Sequence, residues 1–305
     1  MKGFIGNQLI IKLFQDLNKE NFSHAYLFTG CEGLGKKTFA KKLSQSLQCK
    51  NGKILAPCEQ CPTCLQIKKG NHPNTIILEG IDPLSIEMIR KVLHQLNLKS
   101  QSNTFKICLI DNAERMTKET ANCLLKTLEE PPANSLFILI TNKPKLLPET
   151  ILSRCQKIKF QTVPQEELKK ALAAFYPQFN FNEIILSYAA GAPGRAIRFF
   201  NDKDSLATFE NQKNFFEKFF QGNFTTRLQL NNELSKLATS EISELLETWL
   251  FLVKIGLKKA IQNPLNLNKY QKLAKTLLET KQKTAYNLNR RVLLDQLALK
   301  SPRLN

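Results

Sequence analysis

The sequence has no uninterrupted apolar run near the roughly 20 residues that span a bilayer. Residues 1 to 24 also lack a signal-peptide pattern, because their apolar pieces are short and broken by charges. Both absences lead to the expectation of a cytoplasmic chain. Acid is scarce: 26 Asp and Glu stand against 44 Lys and Arg, a net charge of +18. That imbalance favours a polyanionic partner, nucleic acid above all. The lysines are scattered and form no dense tail, so solvated basic faces explain them equally well. Internal repeats and low-complexity tracts are absent. With 305 residues, 42% of them hydrophobic, the chain has material for two or three packed domains.

What is present is concentrated between Phe105 and Phe160. The apolar run Ile107-Cys108-Leu109-Ile110 stops at Asp111, as a buried parallel strand delivering an acid to its carboxyl end would. In open α/β sheets that edge is where ligands bind. A helical pattern follows, with Leu124, Leu125 and Leu128 on one face and Pro131-Pro132 ending it. A second buried run, Leu136 to Ile140, ends at Thr141-Asn142. Ser153-Arg154-Cys155 then precedes a third run, Ile158 to Phe160.

Upstream, His24 to Thr29 reads as a strand running into Gly30-Cys31-Glu32-Gly33-Leu34-Gly35-Lys36, where a helix begins. Strand, glycine-rich loop and helix form a phosphate cradle: glycines let backbone N–H groups face an anion, and the helix dipole adds to them. Lys36 would contact the outer phosphates. The pattern lacks the Ser or Thr that should follow Lys36 and ligate Mg²⁺; Lys37 stands there, with Thr38 one residue late. A helix turns about 100° per residue, so Thr38 should face away from a metal. A nucleotide site, a relic of one and a plain strand-to-helix turn all remain compatible with the loop.

Cys49, Cys58, Cys61 and Cys64 follow, the last three as C-x-x-C-x-x-C. Their spacing suits four thiolates converging on one tetrahedral ion, with no open position for catalysis. Zinc is preferred over iron, since a redox centre has no role here. His72 precedes a strand, Thr75 to Glu79, and reads as a turn residue. Ser85 reads as the N-cap of a helix carrying Ile86, Ile89, Val92, Leu93 and Leu96.

Beyond Pro164 strand patterns are missing. Leu168, Leu172 and Phe175 mark one helix, Ile184 to Ala189 another, and Gly191-Ala192-Pro193-Gly194-Arg195 restarts a third. Arg195 in a first turn opposes the helix dipole, so another partner such as a phosphate is expected for it. From about residue 205 the pattern is helical throughout, and Phe215, Phe216, Phe219 and Phe220 read as helix core rather than base-stacking platforms. The tail 287–294, reading NLNRRVLL, is expected to cap the last helix.

HAYLFTGCEGLGKKT, the four cysteines, LIDNAERM, LLKTLEEPP, FILITN, LSRC and GAPGRA together resemble the clamp-loader branch of the bacterial AAA+ ATPases, and within it the delta-prime type of DNA polymerase III. The resemblance is strongest from 24 to 200. It implies an α/β AAA+ P-loop domain (1–162, parallel sheet with helices on both faces, four-cysteine insertion at 49–64), a helical lid (163–204) and an all-helical collar for oligomerisation (205–305). It also implies a hetero-oligomer with motor subunits of the gamma or tau type and a delta subunit, a sliding clamp and primed DNA. In such motors a glutamate activates water; here Asn112 follows Asp111, and an amide is no general base. Glu114 lies three residues beyond Asp111. Arg154 is kept, and in the family this arginine reaches into a neighbour's ATP site, where such fingers contribute on the order of 10³–10⁵ in rate. Thr141 and Asn142 fall at the first sensor position and Arg195 at the second. The resemblance therefore implies a chain that loads the clamp with ATP hydrolysed at neighbouring sites. Two alternatives stay open: an active gamma- or tau-like motor, and a zinc-dependent nucleic-acid-binding protein with a relic loop.

Overall fold

The computed structural model describes residues 3–18, 21–79, 84–97, 105–179, 183–201, 203–261, 263–284 and 289–304. The chain forms two compact units, Met1–Ile197 and Arg198–Asn305. Of the tail expected to cap the last helix, residues 287 and 288 lie outside the described residues, whereas Asn289 is its N-cap and accepts from Arg291 N–H. Among the described residues no helix is long and apolar enough to cross a membrane.

The described residues of the first unit form a five-stranded parallel sheet. Its strands are β1 (Ala25–Thr29), β2 (Thr75–Leu78), β3 (Lys106–Ile110), β4 (Ser135–Thr141) and β5 (Gln156–Lys159), in the order β2-β3-β4-β1-β5. The three central strands are buried along their whole length, as continuous apolar runs require. Alternate residues feed two cores. Tyr26, Phe28, Ile107, Leu109, Leu136 and Ile138 pack with α1 (Gln8–Gln15) and α2 (Lys36–Gln48), around an aromatic cluster of Phe14, Phe39 and Phe160. Leu27, Cys108, Ile110, Phe137 and Leu139 pack on the other face. There they meet α4 (Ile86–Asn97), α5 (Lys118–Glu129) and α6 (Glu149–Leu152). Ser85 Oγ accepts from Met88 N–H and caps α4 as expected. Edge strand β5 exposes Lys157 and Lys159, which discourages edge-to-edge pairing.

The order places a topological switch at β1, which has β4 on one side and β5 on the other. The connections after β1 and β4 leave in opposite directions, opening a crevice at the carboxyl ends of β1, β3 and β4. α3 (Pro62–Lys69) belongs to the cysteine insertion. α7 (Gln165–Phe175), α8 (Glu183–Ala189) and the start of α9 (Pro193–Asn201) complete the unit. Phe175, expected on the inner face of α7, is exposed, because the helix ends at that residue.

The second unit is helical: α10 (Lys203–Gln221), α11 (Phe224–Leu234), α12 (Thr239–Ala260), α13 (Pro264–Thr284) and α14 (Arg290–Lys300). Phe216, Phe219 and Phe220 are buried around Trp249, so this aromatic run is core. Trp249 donates its indole N–H to Gln212 O at 3.1 Å. Arg227 is buried, and among the described residues no carboxylate pairs with it. Its guanidinium donates to the carbonyls of Phe219, Phe220, Ala298, Ser301 and Pro302, joining the end of α10 to the end of α14.

Candidate nucleotide and metal sites

The glycine-rich loop connects β1 to α2. Gly30, Gly33 and Gly35 have φ of 136°, 84° and 82°, conformations that side chains rarely adopt. Gly33 also meets the first turn of α9: its carbonyl accepts from Gly194 N–H at 2.8 Å, and a Cβ at Gly194 would stand 2.9 Å from that oxygen. Arg195 packs its stem against Gly33, since a Cβ there would lie 2.9 Å from Arg195 Cγ. The loop and the GAPGRA segment, more than 150 residues apart in sequence, therefore form one surface.

Lys36 is buried, and its ammonium donates to Gly30 O (2.6 Å), Cys31 O (2.7 Å) and Asn142 Oδ1 (2.7 Å). Asn142, just past β4, is thus joined to the loop through Lys36. Burial pulls the Lys36 pKa below the ordinary lysine value, against the charges of Cys31, Asp111, Glu114 and Glu32. Thr141 is buried, and its hydroxyl accepts from Lys143 N–H.

Lys37 points its ammonium to Glu79 Oε2 (2.6 Å) and Asp111 Oδ2 (3.1 Å), and Lys41 pairs with Glu79 Oε1 at 2.8 Å. Asp111 stands at the end of β3 and Glu79 at the end of β2, so the sheet delivers both acids to one edge. Asn112 has φ 53°, which asparagine tolerates, and donates its N–H to Asp111 Oδ1. Glu114 sits in the following 3₁₀ turn with one carboxylate oxygen buried and unpartnered. Thr38 is exposed.

This donor set does not fit a divalent cation. A hard cation needs oxygen ligands; the position that should offer a hydroxyl offers an ammonium, and the two strand-end carboxylates, Glu79 and Asp111, are already paired with it.

The four cysteines do fit a metal. One ligand atom from each of Cys49, Cys58, Cys61 and Cys64 lies within 4.8 Å of the others. Zn–S bonds of about 2.3 Å in a tetrahedron put sulfurs about 3.8 Å apart, and Cys58 Sγ is 4.0 Å from Cys64 Sγ. The cluster can bind zinc. Backbone N–H groups of Gln60 and Cys61 draw the Cys58 thiol down to about 6, while burial holds Cys64 up at about 12. Gly52 is needed for close approach: a Cβ there would meet Ala56 O and Pro57 Cα at 2.9 Å. The insertion is tied to α2 by Gln45 Nε2 donating to Cys64 O and by the Lys42–Glu59 pair. His72 accepts from Asn74 N–H through Nδ1, as a turn residue does.

Arg154 follows α6. Its guanidinium pairs with Glu129 Oε1 at 2.5 Å and donates to Thr150 O at 3.0 Å and Ser153 Oγ at 3.3 Å. About a third of its side chain (34%) is exposed, so it is pinned and reachable together. Glu129 is the last residue of α5, within LLKTLEEPP. Glu79 and Glu129 escaped the sequence reading. An acid closing the β2 run, parallel to Asp111 closing β3, was a usable signal for Glu79; nothing local marks Glu129.

The five-stranded parallel sheet and its glycine-rich loop define an α/β P-loop domain of the AAA+ type. The chain belongs to the family described as DNA polymerase III, delta subunit, which matches residues 5–164. It is similar to a DNA polymerase III subunit gamma of Buchnera aphidicola, 36% identical over 56% of this chain and 48% of that protein. It is 34% identical to a subunit tau/gamma of Haemophilus influenzae, over 64% of this chain and 29% of that protein. It is also 36% identical to subunit delta' of Bacillus subtilis, over 52% of this chain and 49% of that protein. The chain thus spans from under a third to about half the length of these relatives. Among solved structures, a gamma subunit-related protein of Thermotoga maritima superposes with TM-score 0.48 at 18% identity, over 97% of this chain and 98% of that one.

Proposed function

We propose that the chain is a delta-prime-like subunit of a DNA polymerase III clamp loader, a soluble replication protein acting at the fork. In this reading it sits among motor subunits and a delta subunit, with residues 163–204 as lid and 205–305 as collar. It helps place the sliding clamp on primed DNA. ATP is hydrolysed at neighbouring sites, one of which receives Arg154 as a trans-acting finger; any polymerase activity belongs to the holoenzyme. Zinc in the cysteine cluster is structural.

The observation that carries this reading is the ion pair of Lys37 with Asp111, a cation where a motor needs a metal-binding hydroxyl. Asn112 in place of a general base and a pinned but accessible Arg154 support it. The motor reading draws on the gamma and tau relatives and on the intact Gly30–Lys36 loop. A nucleic-acid-binding protein of another class would have no use for Arg154. Steady-state ATP turnover by the purified chain separates the first two. The expected result is no turnover above that of Lys36→Ala; turnover that Lys36→Ala abolishes would overturn the proposal in favour of the motor.

A further inference from the structure

The contacts of Lys37 have a consequence beyond the missing hydroxyl. Its ammonium reaches carboxylates from two strand ends, Glu79 after β2 and Asp111 after β3, at 2.6 and 3.1 Å. Lys41, one helical turn along α2, takes the second oxygen of Glu79 at 2.8 Å. Two acids and two ammonium groups therefore balance at the edge of the crevice. Asp111 uses its other oxygen on Asn112 N–H at 3.0 Å, so both of its oxygens are engaged.

We infer that Lys37 is a built-in replacement for a divalent cation, holding Asp111 and Glu79 together and closing this loop to metal. A lysine ammonium offers one positive charge and three donors but no acceptor. It can neutralise carboxylates as a metal ion does, yet it cannot bridge phosphate oxygens as a coordinating ion does in phosphoryl transfer. The neighbours keep it charged: burial pulls its pKa down, but hydrogen bonds and charges from Glu79 and Asp111 outweigh burial, and the net direction is up. Metal entry would have to displace an ammonium that the site itself retains. The inference deepens the proposed reading by giving a residue-level cause for a loop without hydrolysis.

The test uses the full chain and Mn²⁺ alone, an oxygen-preferring ion unlike the thiolate cluster's zinc. Mn²⁺ is titrated by electron paramagnetic resonance against wild type, Asp111→Asn, Lys37→Thr, Lys37→Ser and Lys37→Thr combined with Asp111→Asn. Thermal unfolding confirms that each variant is folded, and two small hydroxyl substitutions guard against failure of one. The wild type should bind no Mn²⁺ that depends on Asp111. Lys37→Thr or Lys37→Ser should gain a site at least tenfold tighter than any in the wild type, and Asp111→Asn should remove it. Wild-type Mn²⁺ binding of similar affinity that Asp111→Asn abolishes would overturn the inference. So would folded Lys37→Thr and Lys37→Ser chains that gain no site. Neither outcome bears on clamp-loader assembly, so failure here is distinguishable from failure of the proposed function.

Discussion

Arg154 and Lys37 carry opposite meanings for one kind of chemistry. Arg154 is partly exposed and held by Glu129 and the Thr150 carbonyl, and the proposed finger role requires it to leave Glu129 for a neighbour's phosphate. Lys37 is exposed to a similar degree, but its ammonium is held by two acids, Glu79 and Asp111, at the strand ends beside its own loop. The identity of Lys37 was legible in the sequence because a local motif assigns that position a job. Its partners were not, because Glu79 is a strand away and the ion pair exists only once β2 and α2 share an edge. Glu79 makes a pH-dependent contribution. Burial raises its pKa, but Lys37 and Lys41 outweigh burial and leave it below the ordinary 4.5. A depressed carboxylate stabilises the fold above its unfolded pKa and loses that contribution as pH falls through the folded value. The stability difference between wild type and Glu79→Gln should therefore be constant above about pH 5 and shrink below about pH 4.5. Urea unfolding from pH 3 to 7 reads it; a pH-independent difference would contradict the ion pairs.

Among elements, β1, β3 and β4 were the most legible because buried parallel strands are written as continuous apolar runs. α3 was not, since its eight residues follow Cys61 directly and the helix is defined by the insertion around it. Cys61 Sγ accepts from Cys64 N–H as the helix cap, so ligand and cap coincide. Structural zinc sites contribute on the order of 10 kcal/mol, so removing the ion should unfold this insertion. Titrating the thiols with a mercurial in the presence of a zinc-sensitive dye should release about one equivalent and lower the melting temperature. No release from freshly purified protein would contradict the site. In the second unit, Arg227 left no sequence signal because its five acceptors come from both ends of the unit. Lysine cannot reproduce its planar fork, and each buried carbonyl left without a donor costs about 1–3 kcal/mol. Arg227→Lys should destabilise this unit by about 2–4 kcal/mol. Urea unfolding followed through the single tryptophan, Trp249, measures it, because that residue lies in the core concerned. A change under about 0.5 kcal/mol, typical of surface substitutions, would contradict the buried network.

At the scale of the molecule, the chain has two units with cores of their own: a P-loop domain whose Lys36 binds its own loop carbonyls, and a helical unit for which assembly is the proposed task. The family match covers 5–164, whereas the second unit stands on helix pattern and core packing. The net charge of +18 is compatible with a partner such as DNA, and scattered lysines do not say where. The central claim is that this chain completes a neighbour's active site while doing no hydrolysis itself. The most direct test is steady-state ATP turnover by a reconstituted loader with clamp and primed DNA, with wild type compared against Arg154→Ala in this chain alone. Fingers of this kind are worth on the order of 10³–10⁵ at the site they serve. Because other sites in the assembly keep working, turnover should fall by about the share of the one site affected, with assembly intact by gel filtration. Unchanged turnover in an intact assembly would contradict the account.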